Sequence, residues 1–253
     1  MNRYSQKLFL GTALVTFIIL SSCKSNQLVA VEGSKIEMTS AWDREGSKAA
    51  AALISYKTTV DSLMMPVIGR SSMNMLPKRP ESLLSNLVAD VLRNAAIPYL
   101  GRPADIAIIN IGGLRNSLAA GCITYGAIYE ILPFENILCI ITMKGRYVKE
   151  LMRNIASVGG EGVSNIYLEI GKDREILSMK IGGEPINDER LYEVATMDYL
   201  ADGNDKMTAF QKAEKRTCYE NETIRNIFVR YIRAESAKGR EIKSEIEGRI
   251  TIK

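Results

Sequence analysis

Apolar residues recur at helical spacing in five stretches of the chain. The clearest is residues 81–96, where Leu84, Val88 and Leu92 share one face with further leucines and valines and Pro98 marks the end. The pattern predicts helices over residues 47–65, 81–96, a short segment that begins at Thr124 and is ended by Pro133, 146–155 and 224–237.

Short β-rich runs lie between these helices. Residues 104–110 are almost continuously apolar, which is typical of a strand covered on both faces. Residues 167–181, interrupted by Lys172 and Asp173, indicate a hairpin. Further strands are predicted over residues 67–71, 136–142, 191–196 and 249–252. This order of elements favours an α/β (α+β) sandwich in which helices pack on a mixed sheet.

The N-terminus has the pattern of a secretory signal, residues 1–22. A basic segment precedes an apolar run from Leu8 to Leu20, which is shorter than the about 20 residues that a membrane span needs. The sequence Leu20-Ser21-Ser22-Cys23 resembles a bacterial lipobox, so we expect a lipid on Cys23; an ordinary signal peptide with an incidental cysteine is the alternative.

This N-terminus predicts a protein anchored to a membrane of the bacterial cell envelope and facing away from the cytoplasm. The polar residues 23–46 are predicted to be a tether, and residues 47–253 a single folded domain.

The chain contains no histidine among its 253 residues. Because histidine titrates near neutrality and is the commonest ligand of transition metals, most routes to metal-assisted hydrolysis and to Ser-His-Asp or Cys-His catalysis are closed. The net charge is only +4 and no basic run is present, which argues against a nucleic-acid polymer as partner. The sequence therefore predicts neither a metal site nor catalytic residues in this chain.

Three cysteines follow Cys23, and none has the CxxC spacing of a metal site. Cys122, Cys139 and Cys218 are predicted to be buried small apolar residues, or to form at most one disulfide.

The first of three candidate ligand loops is IINIGGLR at residues 108–115. Gly112 and Gly113 follow Asn110 at the end of the predicted buried strand, so backbone N–H groups can approach an anion, and Arg115 offers a permanently charged fork. A glycine turn with a solvated arginine is the alternative.

The other two loops each combine an aromatic ring with a polar side chain. Phe134 and Asn136 lie in LPFEN at residues 132–136, and a ring with an amide is a common way to hold a heterocycle. Tyr199 lies six residues before Asp205, which could accept a sugar hydroxyl's proton. The alternatives are a core phenylalanine with a capping asparagine, and a cation-binding loop that lacks the glutamate of an EF-hand.

Together, these loops and their spacing resemble the C-terminal domain of the 5′-nucleotidase family. The resemblance covers roughly residues 65–253. It also includes Glu81-Ser82, Asn86-Leu87-Val88-Ala89-Asp90, Ile123-Thr124-Tyr125-Gly126 and the closing Glu245-Ile246-Glu247-Gly248-Arg249-Ile250.

Family members typically pair this domain with an N-terminal dinuclear-metal phosphoesterase domain, to which it carries the nucleotide. The resemblance implies that Phe134 and Tyr199 sandwich the base, that Arg115 contacts the substrate, and that Asn136 and Asp205 hydrogen-bond to base and ribose. The remaining predicted substrate-binding positions are Asn110, Gly112 and Gly113 in the first loop and Gly160 in the turn Gly159-Gly160.

The sequence departs from the family pattern at three places. Ile111 replaces a glycine of the first loop, where it could crowd the approach of a phosphate, and Lys206 replaces a glycine that needs an unusual backbone conformation. Lys78 or Arg79 stands in for the family's additional arginines. Phosphate binding is therefore a weaker expectation than stacking of the base.

The chain has candidate recognition residues but no histidine. This combination suggests that it is the substrate-binding half of a split 5′-nucleotidase and is inactive by itself. A separate metallophosphoesterase would supply the divalent metals and the activated water. One alternative is a stand-alone nucleotide- or nucleoside-binding lipoprotein, and another is a structural envelope protein whose site has decayed at Ile111 and Lys206.

Overall fold

The computed structural model describes residues 33–35 and 48–253. The chain divides into two units, Met1–Ala51 and Ala52–Lys253. In the first unit, residues 33–35 are exposed and have no regular secondary structure. The predicted signal peptide, Cys23 and most of the predicted tether lie outside the described residues. Within residues 33–35 and 48–253, no helix is long and apolar enough to cross a membrane.

All five predicted helices are confirmed. They are α1 (Lys48–Met64), α2 (Leu83–Asn94), α4 (Tyr125–Ile131), α5 (Gly145–Ser157) and α7 (Ile224–Ala237), and two short helices, α3 (Ile97–Leu100) and α6 (Asp198–Ala201), were not predicted. Capping explains where three of them begin, because the hydroxyls of Ser82, Thr124 and Thr223 accept hydrogen bonds from backbone N–H groups three residues further on.

The apolar residues whose spacing predicted α1 are exposed in the structure. Leu53, Ile54, Val60 and Leu63 are all exposed. The spacing of apolar residues indicates a helix, but it does not indicate whether another element covers the apolar face.

The predicted strands are confirmed, and four further strands accompany them. The eleven strands are β1 (Val67–Ser71), β2 (Ile106–Ile109), β3 (Gly121–Thr124), β4 (Ile137–Lys144), β5 (Gly162–Ser164), β6 (Ile166–Ile170), β7 (Ile176–Ile181), β8 (Glu184–Pro185), β9 (Leu191–Met197), β10 (Lys215–Thr223) and β11 (Ile250–Ile252). Sequence analysis missed β3, β5, β8 and β10. Of these, β3, β5 and β8 have at most four residues, while β10 carries charges along the edge of its sheet, so none shows a clear apolar alternation.

The strands form three sheets, and the central one carries the core. Its order is β10-β4-β9-β2-β5, with β2 and β9 parallel and the other pairs antiparallel. A four-stranded sheet has the order β11-β6-β7-β8, and β1 pairs with β3. All four residues of β2 are buried, as predicted for a strand covered on both faces.

The helices join these sheets into an α/β sandwich, which confirms the predicted fold class. Helix α2 packs against β2, β5 and β9 and contacts α7, while α5 packs against strands of both larger sheets. The buried face of α2 is the leucine and valine face that the sequence predicted.

Two cysteines form a disulfide across neighbouring strands. Cys139 of β4 lies opposite Cys218 of β10 and is bonded to it, in agreement with the expectation of at most one disulfide. Cys122 is free and exposed, so the alternative prediction of a buried apolar residue is wrong for it.

Buried ionic groups fasten the C-terminal segment to α2. Arg249 donates to the carbonyl of Val163 at 2.7 Å and to the carboxylates of Asp90 and Glu247, both at 2.7 Å. Glu81 accepts from the side chain of Asn86 at 2.6 Å and from the backbone N–H of Glu247 at 2.9 Å. Two motifs of the family resemblance, residues 86–90 on α2 and residues 245–250 near the C-terminus, therefore hold the chain end in place.

We predict that Arg249→Ala lowers the free energy of unfolding by about 2 kcal/mol, because it leaves the buried carbonyl of Val163 without a donor and removes the cation shared by two half-exposed carboxylates. Urea unfolding measures the change. The control is Arg70→Ala, whose ion pair with Glu241 is largely exposed and contributes about 0–1 kcal/mol. Equal effects of the two substitutions on the free energy of unfolding would contradict this structural role of Arg249.

Candidate functional site

Three loops meet at one edge of the central sheet. Because β2 and β9 are parallel, Asn110 and Asp198 follow them at the same edge. Strand β4 runs antiparallel to β9 with Leu138 opposite Met197, so its beginning, just after Asn136, lies at this edge as well. The strand directions thus bring together loops that lie far apart in the sequence.

A cavity of about 380 Å³ opens between these loops. This volume lies in the range of small-molecule sites, roughly 300–1,000 Å³. Eight of the nine predicted substrate-binding residues line it, namely Asn110, Gly112, Gly113, Arg115, Phe134, Asn136, Tyr199 and Asp205.

The first loop is a single 3₁₀ turn, Ile111–Gly113, immediately after β2. A Cβ atom at Gly113 would lie 2.7 Å from Oδ1 of Asn110, so a side chain at this position would have to displace the Asn110 amide. Gly112 is exposed and meets no such obstacle. Ile111 is buried and does not line the cavity, so its side chain does not crowd the cavity as the sequence suggested.

Asp205 is the centre of the polar contacts in the cavity. One of its carboxylate oxygens accepts a hydrogen bond from Nδ2 of Asn110 at 2.7 Å, and the other accepts one from the hydroxyl of Tyr199 at 3.0 Å. The hydrogen bond to Asp205, and the charge of that carboxylate, raise the pKa of the Tyr199 phenol. Tyr199 is therefore held as a donor, and its ring is fixed beside the carboxylate.

The loop after α6 has the unusual backbone conformation that was expected where Lys206 replaces a glycine of the family pattern. Lys206 has φ +64° and Asp205 has φ +52°, in the left-handed region that favours glycine. The carbonyl of Lys206 accepts a hydrogen bond from Asn154 at 2.6 Å. Lysine thus occupies the glycine-like conformation without displacing Asp205 from the cavity.

Phe134 is not a core residue. It is 49% exposed, and Tyr199, on the other loop, is 39% exposed. Asn136 does not cap a helix, because it lies directly before β4 and the helix caps nearby are Leu132 and Thr223; its amide donates to the sulfur of Met197 at 3.3 Å. The cavity is therefore lined by two rings that are accessible to a ligand and by an amide between strands β4 and β9.

Arg225 at the start of α7 holds the loop that carries Phe134. Its guanidinium donates to the carbonyls of Leu132 and Pro133 at 3.1 and 3.3 Å, and it pairs with Glu135. The backbone N–H of the preceding residue, Ile224, donates to the carbonyl of Asn136 at 2.9 Å. Arg225 is buried, so its hydrogen bonds to the two carbonyls are shielded from water, whereas Glu135 is exposed.

Behind the first loop lies a second buried charge, Glu161. It accepts a hydrogen bond from the backbone N–H of Ile111 at 2.5 Å and pairs with Arg79. Burial raises the pKa of Glu161, while the N–H of Ile111 and the guanidinium of Arg79 act in the opposite direction.

Gly160, the ninth predicted position, is not among the residues that line the cavity in the described part of the chain. Its carbonyl accepts a hydrogen bond from Nε of Arg79 at 2.7 Å. A Cβ atom there would overlap the carbonyl oxygen of Pro80, and its φ is +117°. Glycine is thus required by packing, and a contact with ligand stays a prediction.

Within the described residues, no group of three or more histidine, cysteine or acidic side chains is arranged to hold a metal ion. The loop of Asp202 and Asp205 accordingly offers no cation cage there. Arg115 lines the cavity as a cation, donating to the carbonyl of Gly112 at 3.1 Å.

Sequence analysis missed Glu161 and Arg225. Their partners are 50 to 93 residues away in the chain, and each is an isolated charge with no local motif. Only the adjacent glycines of Glu161 could have indicated a loop that approaches other backbone closely.

The fold and the cavity define an α/β domain with a cavity of small-molecule size, built from loops at one end of the central strands. The chain belongs to the family described as 5′-nucleotidase, C-terminal domain, whose profile matches residues 67–212.

Among its relatives is the endonuclease YhcR of Bacillus subtilis, which is 30% identical over 186 residues, covering 70% of this chain and 14% of that protein. The NAD 5′-nucleotidase of Haemophilus influenzae is 26% identical over 210 residues, covering 70% of this chain and 34% of that protein. This chain therefore spans about a third or less of these two relatives.

Among solved structures, the 5′-nucleotidase precursor from Thermus thermophilus superposes with a TM-score of 0.70 at 26% identity. The match covers 81% of this chain and 43% of that one. The NAD nucleotidase of Haemophilus influenzae shares the fold, with a TM-score of 0.60 at 21% identity over 81% of this chain and 41% of that chain.

We predict that Arg225→Ala loosens the Phe134 loop, because two carbonyls and Glu135 lose their charged donor. Amide hydrogen exchange at Leu132 and Ile137 should become about ten-fold faster or more. The matched control is Arg230→Ala on the same helix, whose side chain is largely exposed and pairs with Glu222.

The amide of Leu168, which donates to the carbonyl of Arg249 in another part of the domain, serves as a reference for any effect of the substitution on the whole domain. Exchange in Arg225→Ala should accelerate more at Leu132 and Ile137 than at Leu168. Unchanged exchange at Leu132 and Ile137 would show that Arg225 does not hold the loop.

Proposed function

We propose that this chain binds a nucleoside or nucleotide in the cavity between its three loops, as the substrate-binding half of a split 5′-nucleotidase. The observation that carries the proposal is the placement of Phe134, Tyr199, Asn136 and Asp205 around one cavity. Two accessible rings suit a flat base, and an amide and a carboxylate suit its polar edge and the hydroxyls of a sugar.

Catalysis is assigned to a separate metallophosphoesterase. The chain has no histidine, and its described residues contain no metal-holding group. In the proposed mechanism, Phe134 and Tyr199 hold the base, Asp205 accepts from the ribose, and Arg115 steers the phosphate. The partner would supply divalent metals, which can activate a water towards a phosphate ester.

The proposal also includes attachment to the envelope membrane through a lipid on Cys23. Its support is the lipobox-like sequence after the apolar segment. Such an anchor would keep the binding domain close to a partner at the same membrane, which raises their effective concentration.

We predict that Phe134→Ala and Tyr199→Ala each weaken adenosine binding by about 1–3 kcal/mol, the contribution of one aromatic ring stacked on a base. Isothermal titration calorimetry of the full chain in detergent measures the affinity. Tyr167→Ala is the control, because Tyr167 is similarly exposed but lies on the four-stranded sheet. Adenosine binding that survives both ring substitutions would place the ligand elsewhere.

We predict that the purified full chain hydrolyses no AMP above background when Mn²⁺, Zn²⁺ or Mg²⁺ is supplied, because it has no histidine and its described residues hold no group of metal ligands that could activate a water. Release of inorganic phosphate is the measurement. Activity that is unchanged in Phe134→Ala would come from a contaminating phosphatase. Activity that falls in Phe134→Ala would belong to the chain itself and would contradict the assignment of catalysis to a separate protein.

A further inference from the structure

One arginine connects the Cys139–Cys218 disulfide to a loop of the cavity. Arg216 precedes Cys218 by two residues on β10, and its Nε atom lies 3.4 Å from Sγ of Cys218. The Nη1 atom of the same guanidinium is 2.7 Å from a carboxylate oxygen of Asp202 and 3.4 Å from the carbonyl oxygen of Ala201. The guanidinium therefore contacts a sulfur of the disulfide and the end of α6 at the same time.

Asp202 belongs to the segment that carries two residues of the cavity, Tyr199 and Asp205. The backbone of Asp202 is held on both sides. Its N–H donates to the carbonyl of Asp198 at 2.9 Å, and its carbonyl accepts from the side chain of Gln211 at 3.0 Å. A cation at the carboxylate of Asp202 therefore acts on the same segment that positions the Tyr199 ring and the Asp205 carboxylate.

The disulfide is accessible to a reductant from one side. Cys139 is completely buried, whereas Cys218 is half-buried, so a thiol reaches the bond at Cys218. When a dithiol reduces the disulfide, the S–S bond between the strands breaks, an S–S bond forms in the dithiol, and the two protons of the dithiol pass to Cys139 and Cys218. A neighbouring guanidinium favours the thiolate form of a cysteine, in which the proton of Cys218 passes on to water. Reduction therefore places a new anion beside Arg216.

This anion competes with Asp202 for the guanidinium. The side chains of Arg216 and Asp202 are 39% and 57% exposed, so their ion pair is individually weak. The intact disulfide carries no charge and offers no such competition. A thiolate at Cys218 can therefore shift the guanidinium away from Asp202.

We propose that Arg216 couples the oxidation state of the Cys139–Cys218 disulfide to the segment that carries Tyr199 and Asp205. With the disulfide intact, Arg216 holds the end of α6 in the position that completes the cavity. Reduction draws the guanidinium toward Cys218 and loosens the segment, which weakens ligand binding. The inference names a regulation of the cavity and rests on the proposed function for its ligand, whereas the loosening of the segment can be measured without one.

A purely structural role of the disulfide makes a different prediction. The two cysteines are 79 residues apart in the chain, so their bond stabilises the folded domain chiefly by restricting the unfolded chain. Reduction would then destabilise the domain as a whole, whether or not Arg216 is present. In the proposed role, removal of the Arg216 guanidinium abolishes the effect of reduction on the cavity.

The test is a calorimetric titration of the full chain in detergent with adenosine, before and after reduction by dithiothreitol. We expect reduction to weaken adenosine binding by wild type about five-fold, the size of one partly exposed ion pair. Oxidised Arg216→Gln should bind about five-fold more weakly than oxidised wild type, and reduction should change its affinity by less than about two-fold. The matched control is Lys215→Gln, whose exposed side chain lies on the opposite face of β10, and it should respond to reduction as wild type does.

Amide hydrogen exchange of the chain without ligand tests the same coupling independently of the proposed function. The N–H groups of Asp202 and Gly203 donate to carbonyls of α6. In wild type, reduction should accelerate their exchange about five-fold relative to that of Leu168. In Arg216→Gln, their exchange should already be faster in the oxidised state and should not accelerate further relative to Leu168.

Three results would overturn the inference. An adenosine affinity that reduction leaves unchanged in wild type, or lowers equally in wild type and Arg216→Gln, shows that Arg216 transmits nothing to the cavity. Exchange at Asp202 and Gly203 that does not accelerate relative to Leu168 shows that the segment is not coupled to the disulfide. A reduced chain that is unfolded shows that the disulfide serves stability alone. If oxidised wild type binds no adenosine, the proposed function fails, while the exchange experiment still decides the coupling.

Discussion

The hydrogen-bonded position of β9 between β2 and β4 is the constraint on which the site depends. Its parallel pairing with β2 and antiparallel pairing with β4 bring two strand ends and one strand beginning to the same edge. Every residue that lines the cavity belongs to a segment that leads into or out of one of these three strands. A register error in the central sheet would separate Phe134 from Tyr199 and would turn core residues outward, because side chains alternate between the two faces.

Buried charges then fix the loops that the sheet brings together. Arg225 holds the Phe134 loop through carbonyls, Glu161 holds the first loop through the N–H of Ile111, and Arg249 fastens the chain end to α2. Each of these groups is costly to bury and is compensated by several polar partners. Rigid loops lose less conformational freedom when a ligand binds, so these contacts favour a preformed site.

The sequence was sufficient for elements with strong local patterns, such as α2 with its apolar face and the buried strand β2. It was also sufficient for eight residues of the cavity, because the family motifs occur in a recognisable order. It did not predict β10, whose stability comes from pairing with β4 and the Cys139–Cys218 disulfide, or the exposure of α1. Glu161 and Arg225 were missed because their contacts join distant parts of the chain and leave no local signal.

A crystal structure of the chain soaked with adenosine would show whether this cavity receives a base and its sugar. We expect the adenine to lie between the rings of Phe134 and Tyr199, with a ribose hydroxyl donating to Asp205. Adenosine bound at any other surface, or a cavity that stays empty at saturating adenosine, would contradict it.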